Sequence, residues 1–186
     1  MGTEGSAMTS TANPSTAHTP PSQAWCWHDT PVGRLTLAAS AVGLTSVALP
    51  PVATEGAHTS RESNTGASRE ARAVLASARQ QLDEYFAGRR RVFTLPLDMG
   101  GTPFQRRVWD VVATIGYGHT LTYGDVAARI GEPTAMRAVG AASGHNPLPL
   151  VIPCHRVVGR GGRLVGYGGG LALKQALLVL EGARLV

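Results

Sequence analysis

Three prolines, Pro147, Pro149 and Pro153, fall within seven residues of the stretch "NPLPLVIPCHRV". Each removes a backbone donor and fixes φ, so the stretch is a poor helix and a poor sheet interior. It reads as a rigid, buried, irregular strand that presents Cys154, His155 and Arg156 in a fixed place. A lone cysteine in an apolar run is ordinarily an inert core residue. Its neighbours argue otherwise, because neither an imidazole nor a guanidinium belongs in a dry core without a partner. A base or cation beside a thiol lowers its pKa and yields thiolate, the nucleophilic form.

In a straight strand adjacent side chains point to opposite faces. Cys154 and His155 can therefore cooperate only if the chain turns at Cys154 or a water relays the proton. A third group should orient the imidazole. The acids of the second half are Asp110, Asp125, Glu132 and Glu181, and sequence order does not choose among them.

The second half is mostly helical. "GTPFQRRVWDVVATIGYG" opens with Thr102 as N-cap, Pro103 at the first position and Gln105 completing a capping box. Phe104, Val108, Val111, Val112 and Ile115 are its expected buried face. "TYGDVAARIGEP" is a shorter helix capped by Thr122 and stopped by Gly131 and Pro133, and "TAMRAVGAASGHN" follows after a tight connection. The pair is a plausible helix-turn-helix. Its second helix carries small residues and one charge, Arg137. Such a slim helix fits a groove or packs closely inside the protein. Past the cysteine, "GRGGRLVGYGGG" is a Gly/Arg loop with Tyr167, leading into the helix "LALKQALLVLEG". A phosphate cradle is the competing reading, but the loop lacks the Lys-Ser/Thr ending and the strand–helix context.

The first half is a small α+β unit. "AWCWHDTPVGRLTLAASAVGLTSVAL" gives short β-rich runs broken at Pro31-Val32-Gly33 and Gly43, as in an antiparallel meander. "PPVATEGAHTSRESNTG" reads as a loop. "SREARAVLASARQQLDEYFAG" is a helix with Ala73, Leu75, Ala76, Leu82 and Phe86 as its apolar stripe, and "RRVFTLPL" is one more strand. Residues 1–23, rich in Ser, Thr, Ala and Pro, are expected to be a disordered tail.

Charge is unevenly placed. Residues 1–100 hold eight Arg and eight acids, whereas residues 101–186 hold eight Arg, one Lys and four acids, and so carry the whole +5. A basic half suggests an anionic partner. No apolar run approaches the length of a membrane span, about 18 residues. A basic segment followed by an apolar core is lacking at the start, so a secretory signal is not expected and the compartment is taken as cytoplasmic. There Cys26 and Cys154 should be free thiols.

Taken together, "PCHRVVG" after "NPLPLVI", preceded by "TYGDVAARIGEPTAMRAVGAASGHN" and followed by "GYGGGLALKQALLVLEG", closely resembles the O6-alkylguanine-DNA alkyltransferases. The likeness is specific over about residues 102–184 and weaker from about residue 25. It implies an α+β fold: a ribonuclease-H-like domain over residues 24–98, then a mainly helical domain over residues 99–186 with a helix-turn-helix. It implies single-use repair of O6-alkylguanine, and of O4-alkylthymine, in double-stranded DNA by a monomer that binds the minor groove and flips the base. By the same resemblance Cys154 is the alkyl acceptor, His155 the water-mediated base and Glu181 the acid that orients it. Asn146 braces the active-site turn, Tyr123 protonates the leaving base and Arg137 fills the gap left by the flipped nucleotide. Pro149, Val157 and Gly168 are further base-contacting positions. Some relatives have Ser at the position of Gly168; here only a backbone N–H could meet guanine O6, which leaves the accepted alkyl size open. Relatives with a structural zinc use N-terminal Cys and His ligands that have no counterpart, so no metal and no cofactor are expected. A turning-over cysteine hydrolase or thiol transferase, and a damage-flagging module with an idle cysteine, are the competing functions.

Overall fold

The computed structural model describes residues 23–50, 62–63 and 66–183. The expected tail, and most of the expected loop after Pro50, lie outside the described residues. The first half is the meander read from sequence: β1 (Ala24–Thr30), β2 (Gly33–Ala39) and β3 (Leu44–Ala48), all antiparallel. A two-residue strand, β4 (Glu62–Ser63), adds to the outer edge of β1 and gives the order β3-β2-β1-β4. Period-2 alternation buries Ala24 and Cys26 on β1 and Leu35, Leu37 and Ala39 on β2.

Helix α1 (Arg69–Phe86) covers the buried face of this sheet. Ser68 caps it by accepting from Ala71 N. Its buried stripe is Ala71, Val74, Leu75, Ala78, Gln81, Leu82 and Tyr85. The expected stripe is therefore rotated. Ala73 and Ala76 are exposed and Phe86 is half-buried, because the large residues, including a tyrosine whose hydroxyl finds a partner, decide which face turns inward.

"RRVFTLPL" is not a regular strand. Only Leu97 bridges β3, at Leu44. Gln81 of α1 takes both backbone groups of Thr94, whose N–H donates to Oε1 at 2.8 Å and whose carbonyl accepts from Nε2 at 3.4 Å. A side chain thus does the work that a strand partner would do. Gly43 packs directly beneath this segment, where an added Cβ would lie 2.6 Å from the carbonyl oxygen of Pro96.

The second half contains α2 (Pro103–Ala113), α3 (Tyr123–Arg129), α4 (Met136–Gly144) and α5 (Gly170–Leu180). Both halves of the Thr102/Gln105 capping box are present, and Thr122 and Asp125 form a second one at α3. Val108, Val112 and Ile115 are buried as expected, while Phe104 and Val111 are half-buried. Trp109 joins the core because its indole N–H donates to Ala142 O at 2.9 Å, tying α2 to α4.

A parallel pair of two-residue strands, β5 (Leu121–Thr122) and β6 (Val157–Val158), joins the start of α3 to the chain just after the cysteine. It places Tyr123 beside the Cys154 turn.

Replacing Gln81 with Met keeps the apolar stem and strands both Thr94 groups. Thr94 is itself exposed, so unfolding in urea should show a loss of about 0.5–1.5 kcal/mol, the net worth of a hydrogen bond rather than of a buried orphan. An unchanged midpoint would mean that solvent satisfies Thr94.

Candidate active site

The proline run is built as a sharp bend. Leu150 is fully buried and adopts φ 76°, a left-handed conformation that a side chain resists. Asn146 holds the bend from three sides. Its Oδ1 accepts from Leu148 N at 3.0 Å, and its Nδ2 donates to Ile152 O at 2.7 Å and to Cys154 Sγ at 3.2 Å. The chain then turns at Cys154 itself, in one turn of 3-10 helix over Cys154–Arg156. The turn carries the His155 and Arg156 side chains away from the thiol and into the protein.

Both meet Glu181, the C-cap of α5. His155 Nε2 donates to Oε1 at 2.9 Å, Arg156 Nη2 to Oε1 at 2.8 Å and Arg156 Nε to Oε2 at 2.8 Å. Tyr85 OH reaches Oε1 at 2.7 Å from α1, and Gly118 N reaches Oε2 at 3.3 Å. The other acids are engaged elsewhere or exposed: Asp125 caps α3, Glu132 pairs with Arg107, and Asp110 is exposed. Glu181 is therefore the acid that geometry selects.

The protonation states follow from this packing. Burial pushes the Glu181 carboxyl up, but hydrogen bonds from His155, Arg156 and Tyr85 outweigh it and hold the group well below the usual carboxylate range. His155, with none of its surface exposed, is pushed down by burial against the pull of Glu181, so it is neutral at pH 7. A neutral imidazole facing a carboxylate through Nε2 keeps its proton there. Nδ1 then carries a lone pair, and it is buried with no partner among the described residues. Burial also raises the Cys154 thiol above its ordinary value, against the Asn146 hydrogen bond and the charge of Lys174. The sequence reading expected a depressed thiol pKa; desolvation dominates instead, and the resting sulfur is a thiol.

Cys154 opens onto a cavity of about 340 Å³ lined by Tyr123, Gly140, Ser143, Gly144, Val165, Gly166, Tyr167 and Gly168. That volume lies in the range of small-molecule sites, about 300–1,000 Å³. Two hydroxyls of the lining, Ser143 Oγ and Tyr167 OH, are buried and have no partner among the described residues. Tyr123 OH donates to Val165 O at 3.3 Å, and burial, then the nearby sulfur, raises its pKa. A wider groove adjoins the cavity and includes Arg137, exposed on α4, with Met136 and Arg160.

Of the residues read from sequence, Cys154, Tyr123 and Gly168 line the cavity, Asn146 touches the thiol, His155 and Glu181 lie behind it, and Arg137 lies on the groove. Pro149 and Val157 are buried and do not line the cavity, and the carbonyl of Val157 accepts from Lys174 Nζ at 2.6 Å.

The sequence reading gave no role to Tyr85, to the ion pair of Arg156 or to Lys174. Lys174 is fully buried and also donates to Val165 O at 2.8 Å and Gly166 O at 3.3 Å; burial pushes it down to about 8. A signal existed: Lys174 shares the buried face of α5 with Leu177, Leu178 and Glu181, at helical spacing.

The family model for the 6-O-methylguanine DNA methyltransferase ribonuclease-like domain matches residues 25–99, and that for the DNA binding domain matches residues 103–183. The chain belongs to the 6-O-methylguanine DNA methyltransferase family. A methylated-DNA–protein-cysteine methyltransferase of Mycolicibacterium paratuberculosis is 49% identical over 153 residues, 82% of this chain and 88% of the relative. A crystal structure of Mycobacterium tuberculosis OGT in complex with DNA superposes with a TM-score of 0.73 at 42% identity, covering 87% of this chain and 94% of that one. The structure of the Mycobacterium tuberculosis O6-methylguanine methyltransferase gives a TM-score of 0.70 at 40% identity, covering 87% and 93%. Both domains of a 6-O-methylguanine DNA methyltransferase contribute to the cluster around Glu181, through Tyr85 and through His155 with Arg156.

The Glu181 carboxylate ties this family member's stability to pH. Because its folded pKa is depressed, its contribution is complete above the ordinary carboxylate value of 4.5 and is lost as pH falls below it. Glu181→Gln leaves Arg156 buried and unpaired, so at neutral pH it should lose about 3–5 kcal/mol. The gap to wild type should narrow in acid. Urea unfolding across this pH range checks both statements.

Proposed function

We propose that this chain repairs alkylated DNA by taking the alkyl group of O6-alkylguanine, and of O4-alkylthymine, onto Cys154. The observation that carries the reading is a buried thiol on the wall of a base-sized cavity, with a neutral imidazole next to it in the chain whose Nδ1 has no partner among the described residues and can accept a proton. The thiol proton passes to His155 Nδ1 through one bridging water, and Glu181 stabilises the imidazolium that forms. Sulfur attacks the alkyl carbon, the carbon–O6 bond breaks, and its electron pair leaves with guanine. Tyr123 hands that base a proton. The product is a thioether on Cys154 and a restored guanine. No group in the cavity can cleave a thioether, which argues against a hydrolase and makes each molecule single-use.

The target carbon is unreachable inside a stacked duplex, so the base must be flipped into the cavity. Helices α3 and α4 act as a helix-turn-helix on the minor groove. The small residues of α4 allow close approach, and Arg137 enters the gap in the stack. Gly168 offers a backbone N–H to guanine O6. The boundary between the two domains falls at residues 98–99, close to where the two family models meet. The protein acts as a monomer, in the cytoplasm, without metal or cofactor. Among the described residues no helix is long and apolar enough to cross a membrane.

Incubation with a duplex containing O6-methylguanine should add about 14 Da, once per chain, to the peptide holding Cys154. Label on Cys26, or more than one methyl per chain, overturns the reading. Cys154→Ala should keep DNA binding and lose acceptance. His155→Ala should slow transfer by about 100-fold or more, the scale of general base catalysis, with DNA affinity little changed.

Arg137 and Arg107 provide a second test. Arg137→Ala should slow repair of duplex much more than reaction with free O6-alkylguanine base, which needs no flipping. Arg107 already pairs with Glu132 at the surface, so Arg107→Ala should weaken binding only modestly, and less so at high salt. Equal impairment of Arg137→Ala on base and duplex would remove its proposed role in the stack.

A further inference from the structure

Glu181 is served by a residue that lies 96 positions away in the chain, on the helix that covers the N-terminal sheet. Tyr85 has none of its surface exposed. Its ring packs on Phe86, Phe93 and Tyr117, with centroids 5.1, 5.5 and 6.1 Å away. A phenylalanine would satisfy those contacts equally well. The hydroxyl is what distinguishes this residue, and it ends 2.7 Å from Oε1, the same oxygen that holds His155.

That oxygen is crowded. It accepts from Tyr85, from Arg156 Nη2 and from His155 Nε2, while Oε2 accepts, among the described residues, from Arg156 Nε and Gly118 N. A carboxylate oxygen has two lone pairs, so three donors share density that two would divide. Each further donor weakens the pull on the others. The pull on His155 Nε2–H is what sets how readily Nδ1 takes a proton.

We propose that Tyr85 is a positioning residue for alkyl transfer, which tempers the Glu181 carboxylate from the N-terminal half and so sets the basicity of His155. The proposal rests on the relay described under Proposed function. The charged and titratable groups facing His155 are Glu181 at the end of α5, Arg156 on its own turn, Lys174 on α5, Cys154, and Tyr167 on the glycine loop. Tyr85 acts through the first of these. With Tyr85 in place His155 stays neutral to lower pH, and the thiol keeps an acceptor for its proton. Without it, Glu181 pulls harder, His155 takes a proton from solvent at higher pH, and the relay is blocked there.

The test is the pH dependence of single-turnover methyl transfer from an O6-methylguanine duplex to the full-length chain. Tyr85→Phe should move the acid limb to higher pH. On that limb the rate should fall on the order of tenfold, which corresponds to a displacement of one unit. Above the limb it should converge on wild type, and the Kd for DNA should stay within about twofold. Replacing Tyr85 with 3-fluorotyrosine, a stronger donor, should move the limb the opposite way, and it keeps the question open to measurement if the phenylalanine variant folds poorly. In a His155→Ala background Tyr85→Phe should have no further effect. A uniform loss across pH, or an unmoved limb in both variants, overturns the proposal and leaves Tyr85 a packing residue. A His155→Ala variant that transfers at the wild-type rate would instead overturn the relay beneath it, so the two failures are distinguishable.

Discussion

A single buried carboxylate organises this protein. Glu181, at the end of α5, collects donors from α1, from the turn after Ile115 and from the cysteine turn. Burying such a charge is expensive unless every lone pair is used. Here the Arg156 guanidinium neutralises it in two-point contact, and the remaining capacity goes to an imidazole, a phenol and a backbone amide. The outcome is electrically balanced. One full negative charge meets one full positive charge, and His155 and Tyr85 remain neutral beside them.

That balance explains why the thiol can wait. A free thiolate in so buried a place would lack solvation, and the structure does not supply enough positive charge to hold one at rest. Beside it the structure holds a proton acceptor, the buried Nδ1 of His155, and two hydroxyls of the cavity lining, on Ser143 and Tyr167, none of them with a partner among the described residues. Buried polar atoms without partners are costly in an ordinary core.

Much of this was legible in the sequence, wherever the deciding forces are local. The capping box at Thr102, the cap at Thr122, the glycine and proline stops and the period-2 strands all come from neighbours within a few residues. The proline run, expected as an irregular strand, is instead a bend, with Leu150 in a left-handed conformation that no neighbour in the sequence announces. What the sequence concealed depends on partners far along the chain. The stretch 90–97 looks like a strand, yet Thr94 is satisfied by Gln81 of a helix. Tyr85 looks like one of several aromatics near a helix end, and nothing nearby reveals a carboxylate 96 positions on. The choice of Glu181 among four acids came from resemblance in the sequence and from hydrogen bonds in the structure. The thiol was misjudged in direction because adjacency to His155 and Arg156 is visible in a sequence, whereas desolvation is not.

Trp109 gives the second half an optical consequence. Its indole is sealed between α2 and α4 and bonded to a carbonyl near the end of the helix that carries Arg137. The other two tryptophans, Trp25 and Trp27, sit 6.0 Å apart on β1 in the opposite half. Light emitted by Trp109 therefore depends on how α4 is seated, and the β1 pair reports on the sheet. With Trp25 and Trp27 silenced, the protein would carry its own fluorescent gauge of the seating of α4, with no dye attached.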